Sequence, residues 1–184
     1  DDPGIVQSLI KRAFPDPDFR VPEAAVRFLV RTATPECLEA VRALGPPHAD
    51  ARVRYYSLRT LAASGEALPF LLLSAFGKDG CDAIRLEAAV LLGGRSEPEA
   101  AEVLRGQVQD ASAIVRCAAL LSLGGLEGAR PNEARSGLSD PDWRVRSAAL
   151  EVLVKLGDHA SAPLVRRALE KETEFRIIDD LSQA

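Results

Sequence analysis

The chain has 184 residues, long enough for one domain with a sizeable core, and a formal net charge of -4 at pH 7. Basic and acidic side chains are mixed along both halves, which argues against a nucleic-acid platform. The longest apolar run, Ala67–Phe76, is too short to span a bilayer, and no signal pattern opens the chain. We therefore expect a cytoplasmic protein without membrane contact.

The chain is predicted to be helical, because Ala and Leu are abundant and aromatic residues make up only 5%. Two kinds of helix are predicted to alternate along it. The first element, GIVQSLIKRAF, is a short helix, here called a B helix. Longer helices, the A helices, follow Asp-containing turns and end at Gly65, Gly93, Gly124 and Gly157. A further B helix follows each of them, and the last A helix is FRIIDDLSQA. Pro141 is expected in a first helical turn.

An internal repeat explains this alternation. The segments DPDFRVPEAAVRFLV, from Asp16, and DPDWRVRSAALEVLV, from Asp140, share nine of fifteen residues. The step of an apolar residue followed by Arg recurs at Arg54, Arg85 and Arg116 with a spacing of 31. Such hairpins bury their apolar faces by stacking on their neighbours, so Phe19 and Trp143, which align, are expected at seams between repeats.

The predicted fold is all-α, a right-handed superhelix of about five helix pairs in one domain, 1–184. A lone B helix precedes the pairs and a truncated A helix follows them. The expected boundaries are 1–15, 16–48, 49–79, 80–109, 110–139, 140–172 and 173–184. The chain begins with Asp1 and contains no Met, which is compatible with processing or with excision from a longer repeat array.

The stretch DPDWRVRSAALEVLVKLGD, followed by HASAPLVRRAL, resembles the HEAT-like repeat of the phycobiliprotein-lyase type. The resemblance covers nearly the whole chain and implies A helices on the convex side and B helices on the concave side. It departs at Pro22, which replaces the Arg, near Cys81-Asp82, where the Asp-Pro turn is absent, and in the short helix PNEARSGL. Such repeats serve many tasks, so the resemblance predicts the fold better than the function.

One Asp and one Arg recur in successive repeats, which predicts a structural ladder rather than a catalytic pair. Each Arg is expected to bond to a turn carboxylate or a helix end nearby. The predicted pairs, each within a single repeat, are Asp50 with Arg54, Asp82 with Arg85 and Asp142 with Arg146, and the predicted ladder also includes Asp110 and Arg116.

Sequence motifs for catalysis or metal binding are missing. His48 and His159 are expected in solvated loops, and the lack of any His-Glu dipeptide excludes the iron site of deoxyhypusine hydroxylase, an enzyme of similar architecture. The three cysteines, Cys37, Cys81 and Cys117, include no CxxC pair, and inert thiols are expected. No GxSxG, P-loop or GxGxxG occurs. We expect no metal, no cofactor and no enzyme activity.

A comparison of two B helices suggests where a partner binds. After Pro163 the chain reads LVRRALEK, and after Pro69 it reads FLLLSAFG, so Phe70 and Leu71 are expected to face the stack. Either Leu72 or Leu73 then reaches the surface, or the superhelix buries both, or the alignment slips by one residue. The predicted partner-binding residues are Phe70, Leu72, Leu73, Phe76, Glu36, Glu39, Arg42, Glu102, Arg105, Arg166 and Arg167.

A non-enzymatic scaffold that binds another protein is the function we expect, with self-association as a further expectation. The first alternative is a phycobiliprotein-lyase-like or chaperone-like maturation factor for a tetrapyrrole-carrying protein. The second is a DNA glycosylase built from HEAT-like repeats. It is disfavoured because the net charge is negative and Arg166-Arg167 is only a small basic spot.

Overall fold

The computed structural model describes residues 3–32, 34–44, 47–65 and 67–171. These residues form eleven α-helices and a short 3-10 helix, with no strand among them. The α-helices are α1 (Pro3–Arg12), α2 (Arg20–Thr32), α3 (Pro35–Leu44), α4 (Ala51–Ala63), α5 (Phe70–Phe76), α6 (Asp82–Leu92), α7 (Pro98–Gln107), α8 (Ala113–Gly125), α9 (Pro131–Gly137), α10 (Trp143–Lys155) and α11 (Ala162–Lys171), with the 3-10 helix at His159–Ser161.

Contacts between Cα atoms divide the chain into two compact units, residues 1–87 and 88–184, and the boundary falls within α6. In the first unit α2 packs on α4, and α3 packs on both α1 and α4. In the second unit α8 packs on α10, and α9 packs on both. Even-numbered helices are thus the predicted A helices, and odd-numbered helices are the B helices.

The A helix α10 shows why these sequences form helices. Asp142 is the N-cap, and its carboxylate accepts a hydrogen bond from the Arg144 backbone N–H at 2.9 Å. Val145 and Val152, among the side chains that α10 buries, join the core cluster of the second unit. The chain leaves the helix at Gly157, whose φ of 62° favours glycine. Pro141 precedes the helix rather than lying in its first turn.

Glycines near the ends of two A helices allow close approach of the next one. A Cβ on Gly124 would lie 2.6 Å from Val152 of α10, and a Cβ on Gly93 would lie 2.7 Å from Ser122 of α8. Gly124 therefore lies inside α8, which runs to Gly125, instead of ending the helix as predicted. The close packing of α8 against α10, rather than the end of the helix, explains why glycine occupies position 124.

The sequence predicted the all-α class and the alternation of two helix types, and both are confirmed. The number of repeats, their boundaries, the single-domain organisation and the handedness stay predictions. The predicted helix FRIIDDLSQA lies outside the described residues. Trp143 packs against the core cluster of the second unit, as a seam residue should, whereas the Phe19 side chain is exposed.

Candidate binding surfaces

Arg54 of α4 forms a bidentate ion pair with Asp79, in the turn that precedes the next A helix. Arg54 Nε lies 2.6 Å from Asp79 Oδ2, and Arg54 Nη2 lies 2.8 Å from Asp79 Oδ1. The same guanidinium donates through Nη1 to the carbonyl oxygens of His48 and Ala49. One arginine therefore joins the turn before its own helix to the turn of the following repeat, with both side chains largely buried.

Arg116 of α8 repeats this arrangement in the second unit. Its Nε and Nη2 each lie 2.8 Å from an oxygen of Asp140, and its Nη1 donates to the carbonyl oxygens of Asp110 and Ala111. The predicted pairing within one repeat is not the one observed, because each of these two arginines pairs with a turn aspartate of the following repeat. An aspartate at a helix N-cap directs its carboxylate to the backbone N–H groups of its own first turn. The arginine therefore pairs with the turn aspartate on the other side of the junction between two repeats.

The other predicted ladder residues lie in the turns before the A helices or bond to those turns. Asp50 and Asp142 are N-caps that bind the backbone N–H two residues on. Arg85 donates to the carbonyl oxygen of Asp79, and Arg146 donates to those of Asp140 and Pro141. Asp110 accepts from the Ser112 N–H at 2.8 Å, and Asp82 begins α6.

Sequence reasoning missed Asp79 and Asp140 as the partners, although a signal existed. The turn residues Asp16, Asp79, Asp110 and Asp140 each accept a hydrogen bond at 2.8 Å from the backbone N–H two residues later. Their spacing matches the period of the arginines. That regularity could have identified the carboxylates of the ladder.

His48 takes the place of this aspartate in the second repeat. Its Nδ1 accepts a hydrogen bond from the Asp50 N–H at 3.1 Å, as the aspartates do in their turns. In the preceding A helix, Pro22 stands where the ladder arginine is found elsewhere. Both members of that rung are therefore replaced together. His48 has a structural part in its turn, whereas His159 is exposed at the start of the 3-10 helix.

Burial alone would raise the pKa values of Asp79 and Asp140, but the guanidinium groups and backbone N–H donors more than offset it. The pKa of both carboxyls therefore lies below the ordinary value. Burial raises the pKa of the Cys117 thiol, which makes it less reactive. All three cysteines are free thiols.

The B helix α5 does not present the leucines that the sequence comparison suggested. Leu73 is 1% exposed and Phe76 is fully buried, so neither contacts a partner in the folded chain. Phe70 and Leu72 are half-buried. The exposed leucine is Leu71, at 80%, which was expected to face the stack. The predicted orientation of this helix was wrong.

The prolines used to align the two helices occupy different positions, which explains the error. Pro69 is the N-cap of α5, whereas Pro163 is the second residue of α11. Counted from the first helical residue, Leu73 corresponds to Val165, and Arg166 and Arg167 correspond to Ser74 and Ala75. The proline alignment had therefore slipped by two residues, whereas the sequence comparison had left open a slip of only one.

The polar residues predicted to flank a partner site mostly reach the surface. Glu36 and Glu39 of α3 are exposed, and Arg42 is half-buried. In the second unit Glu102, Arg105, Arg166 and Arg167 are exposed, and Arg105 Nε lies 3.1 Å from Glu133 Oε1 of α9.

An open groove of about 830 Å³ lies in the second unit beside α7. The turn after α6, the start of α7 and the turn after α8 form its walls. Arg95 is paired with Glu97 at its edge. Three further carboxylates line the groove, are exposed and form no ion pair with a described residue: Glu99, Glu102 and Glu127. We call this surface the acidic groove.

Among the described residues, no cluster of three or more His, Cys, Asp or Glu side chains is arranged to hold a metal ion. Within the same part of the chain, no helix has the length and apolar character needed to cross a membrane.

Comparisons with known proteins place the chain among helical repeat folds. The HEAT repeat family model matches residues 134–160, which cover most of α9 and all of α10. No curated protein matches the sequence. A structure of the complex of CpcE and CpcF of phycocyanin lyase, from Nostoc sp. PCC7120, contains a chain that is 24% identical with a TM-score of 0.67. The match covers 82% of this chain and 99% of that one.

Two other structures match nearly the full length. YibA of Escherichia coli is 18% identical with a TM-score of 0.67, over 98% of this chain and 67% of that one. A designed armadillo repeat protein in complex with the peptide (KR)4 is 15% identical with a TM-score of 0.54, over 98% and 96% of the two chains. At these identities the likeness establishes the fold alone.

Proposed function

From the fold of the chain as a HEAT-like repeat protein, we propose that it is a non-enzymatic scaffold that binds a segment of another protein. The observation that carries the proposal is the acidic groove. Its volume lies in the range of ligand-binding clefts, of the order of 300–1,000 Å³. The ladder carboxylates Asp79 and Asp140 are used by the fold, whereas Glu99, Glu102 and Glu127 form no ion pair with a described residue and are available to a ligand.

A segment rich in Lys and Arg is the partner whose charge complements this groove. The likeness to a designed armadillo repeat protein in complex with the peptide (KR)4 supports the same kind of partner. Leu71 on α5, in the first unit, is a separate candidate contact, because a large apolar side chain at 80% exposure gains most from being covered.

The test uses the full chain and a fluorescent (KR)4 peptide, with binding followed by anisotropy at low and near-physiological salt. We expect binding that weakens with salt, and a loss of about tenfold on Glu102→Lys, since one like-charge contact costs on the order of 1.4 kcal/mol. Glu151→Lys makes the same charge change on the exposed face of α10 and is the matched control. Equal weakening by both variants, or no binding, would reject the acidic groove as the site.

The contribution of Leu71 is tested in a pull-down with the native partner. Leu71→Arg is expected to weaken capture and to change the free energy of unfolding by less than about 1 kcal/mol, as surface substitutions do. Leu73→Arg places a charge in the core and is expected to cost several kcal/mol. If Leu71→Arg leaves capture unchanged, α5 is not part of the binding surface.

A maturation factor acting on a tetrapyrrole-carrying protein is the second candidate. It is favoured by the match to a chain in the complex of CpcE and CpcF of phycocyanin lyase, which covers 99% of that chain. Purification with a candidate chromophore separates the two functions. A coloured complex that transfers its pigment to an acceptor protein supports the maturation factor, and a colourless complex supports the scaffold.

A further inference from the structure

A second groove lies in the second unit, beside the B helix α9. Its volume is about 650 Å³, and its walls come from the turn after α7, from α8 and α9, and from the turn before α10. Apart from the ladder residues Asp110, Arg116 and Asp140, the charged residue in these walls is Glu133. The exposed side chains around it are amides and hydroxyls: Gln109, Asn132, Ser136 and Ser139. We call this surface the α9 groove.

Arg105 connects the α9 groove with the acidic groove. Its side chain lines the acidic groove, and its Nε lies 3.1 Å from Oε1 of Glu133, which lines the α9 groove. The ion pair therefore lies where the two grooves meet. On α7, Arg105 follows Glu102 by three residues, so the two side chains are neighbours on the helix surface. The acidic groove thus already contains a cation of the kind that the proposed partner carries.

The ion pair of Arg105 and Glu133 is more exposed than a rung of the ladder. Its closest approach is 3.1 Å, and the Arg105 side chain is 45% exposed. Arg116, in contrast, makes two bonds of 2.8 Å to Asp140, and its side chain is 14% exposed. Water and salt screen an exposed pair, so it contributes little to folding. Another cation can therefore replace Arg105 at Glu133 without disturbing the fold.

A basic segment in the acidic groove brings such a cation close to Glu133. Packed helices lie about 8–10 Å apart, and an extended chain advances about 3.3–3.6 Å per residue. A segment held at Glu102 of α7 therefore reaches α9 with a side chain about three residues further on. Because the first contact already holds the segment, the exchange at Glu133 occurs within the complex, at a high effective concentration of the incoming cation.

We propose that Arg105 is an internal competitor of the basic segment. In the unbound chain its guanidinium occupies Glu133. On binding, a Lys or Arg of the segment takes its place, and the segment continues from the acidic groove into the α9 groove. This inference rests on the proposed function and makes its partner more specific: an extended segment with at least two basic side chains, one for each groove.

The first test uses the full chain and the fluorescent (KR)4 peptide at low salt, with binding followed by anisotropy. Arg105→Gln leaves Glu133 to the peptide, and we expect binding to be about tenfold tighter. Arg130→Gln is the matched control, because it removes the same charge from an exposed residue that lines neither groove. It should change binding by less than about threefold, since solvent and salt screen a charge outside the grooves. In the Glu133→Gln background, Arg105→Gln should have no larger effect than Arg130→Gln.

The second test follows Arg105 itself in the unaltered chain, by nuclear magnetic resonance of its Nε–H group. The signal is assigned by its loss in the Arg105→Gln variant. The Glu133→Gln variant gives the position of the signal when the guanidinium is released. Saturation of the unaltered chain with (KR)4 should move the signal towards that position.

Two outcomes would overturn the proposal: a gain on Arg105→Gln that persists in the Glu133→Gln background, or an Arg105 signal that does not move while (KR)4 binds. In either case, weakening of (KR)4 binding by Glu102→Lys would still support the acidic groove as the site, so the proposed function would stand. If (KR)4 does not bind at all, the proposed function and this proposal fail together.

Discussion

Replacing Arg116 tests whether the ladder between repeats stabilises the fold. The guanidinium makes two bonds of 2.8 Å to Asp140, and the two side chains are only 14% and 12% exposed. It also donates to two backbone carbonyl oxygens of the turn before α8. Loss of the guanidinium leaves the largely buried Asp140 carboxylate without its counter-charge. We expect Arg116→Met to lower the free energy of unfolding by about 3 kcal/mol.

A double-mutant cycle isolates the pair. Asp140→Asn keeps an oxygen for the turn but removes the charge, and the double variant should lose less than the sum of the single losses. The expected coupling is about 2 kcal/mol, within the range for residues in contact. Arg144→Met is the matched control, because Arg144 also pairs with an aspartate, Asp142, but is 46% exposed. Its expected cost is below about 1 kcal/mol.

Urea unfolding provides the measurement, followed by the fluorescence of Trp143, the only Trp of the chain, and by circular dichroism. Trp143 packs against the core cluster of the same unit, so it reports on this junction. The m-value should stay constant, which would show that only stability has changed. A coupling near zero, or a loss on Arg116→Met no larger than on Arg144→Met, would refute the structural part given to the ladder.

Three further predictions concern acid, one serine and one glycine. Folding lowers the pKa of Asp140, and it lowers the pKa of Asp142 from 3.8 to about 2. The contribution of these two carboxylates to the free energy of unfolding should therefore be fully present above about pH 4 and be lost as the pH falls towards 2. A free energy of unfolding that does not change over this pH range would contradict the prediction. Ser57→Ala should raise the free energy of unfolding by about 1 kcal/mol, since the buried hydroxyl has no hydrogen-bond partner among the described residues. Thermal melting measures the change, and a lower melting temperature would contradict the prediction. Gly124→Ala should cost about 1–3 kcal/mol because its Cβ would overlap a methyl group of α10. Gly125→Ala should not destabilise, since its Cβ would make only an ordinary contact, 3.7 Å from Lys155 Nζ. Equal effects of the two substitutions in urea unfolding would reject the close approach.

The sequence predicted the A helices well because their signals are local. An N-cap aspartate, a run of apolar residues at helical spacing and a terminal glycine are read within about four turns of chain, and Asp142, Val145 and Gly157 serve as expected. Gly124 was misassigned because its reason is a neighbour in space, Val152 of the next A helix. A single repeat carries no information on that contact.

The candidate site was harder to predict for the same physical reason. Which leucine of α5 reaches the surface depends on where the helix begins, and a slip of two residues rotates the exposed direction by about 200°. Pro69 caps α5 while Pro163 lies inside α11, and sequence alone did not distinguish the two positions. The acidic groove is built from turns of different repeats, and a comparison of single helices does not show which turns meet. The sequence therefore suggested Glu102 and Arg105 but not Glu99 or Glu127.

The ion pairs between repeats separate the charged side chains that the fold uses from those that remain for binding a partner. A rung that lost only one member would leave a largely buried charge without compensation, at a cost of several kcal/mol. The first rung instead lacks both members, since Pro22 replaces the arginine and His48 the aspartate, and the α2/α4 junction has the ion pair of Glu23 and Arg59. Charges that the fold uses are therefore matched across junctions between repeats. The glutamates Glu99, Glu102 and Glu127 of the acidic groove have no such match among the described residues.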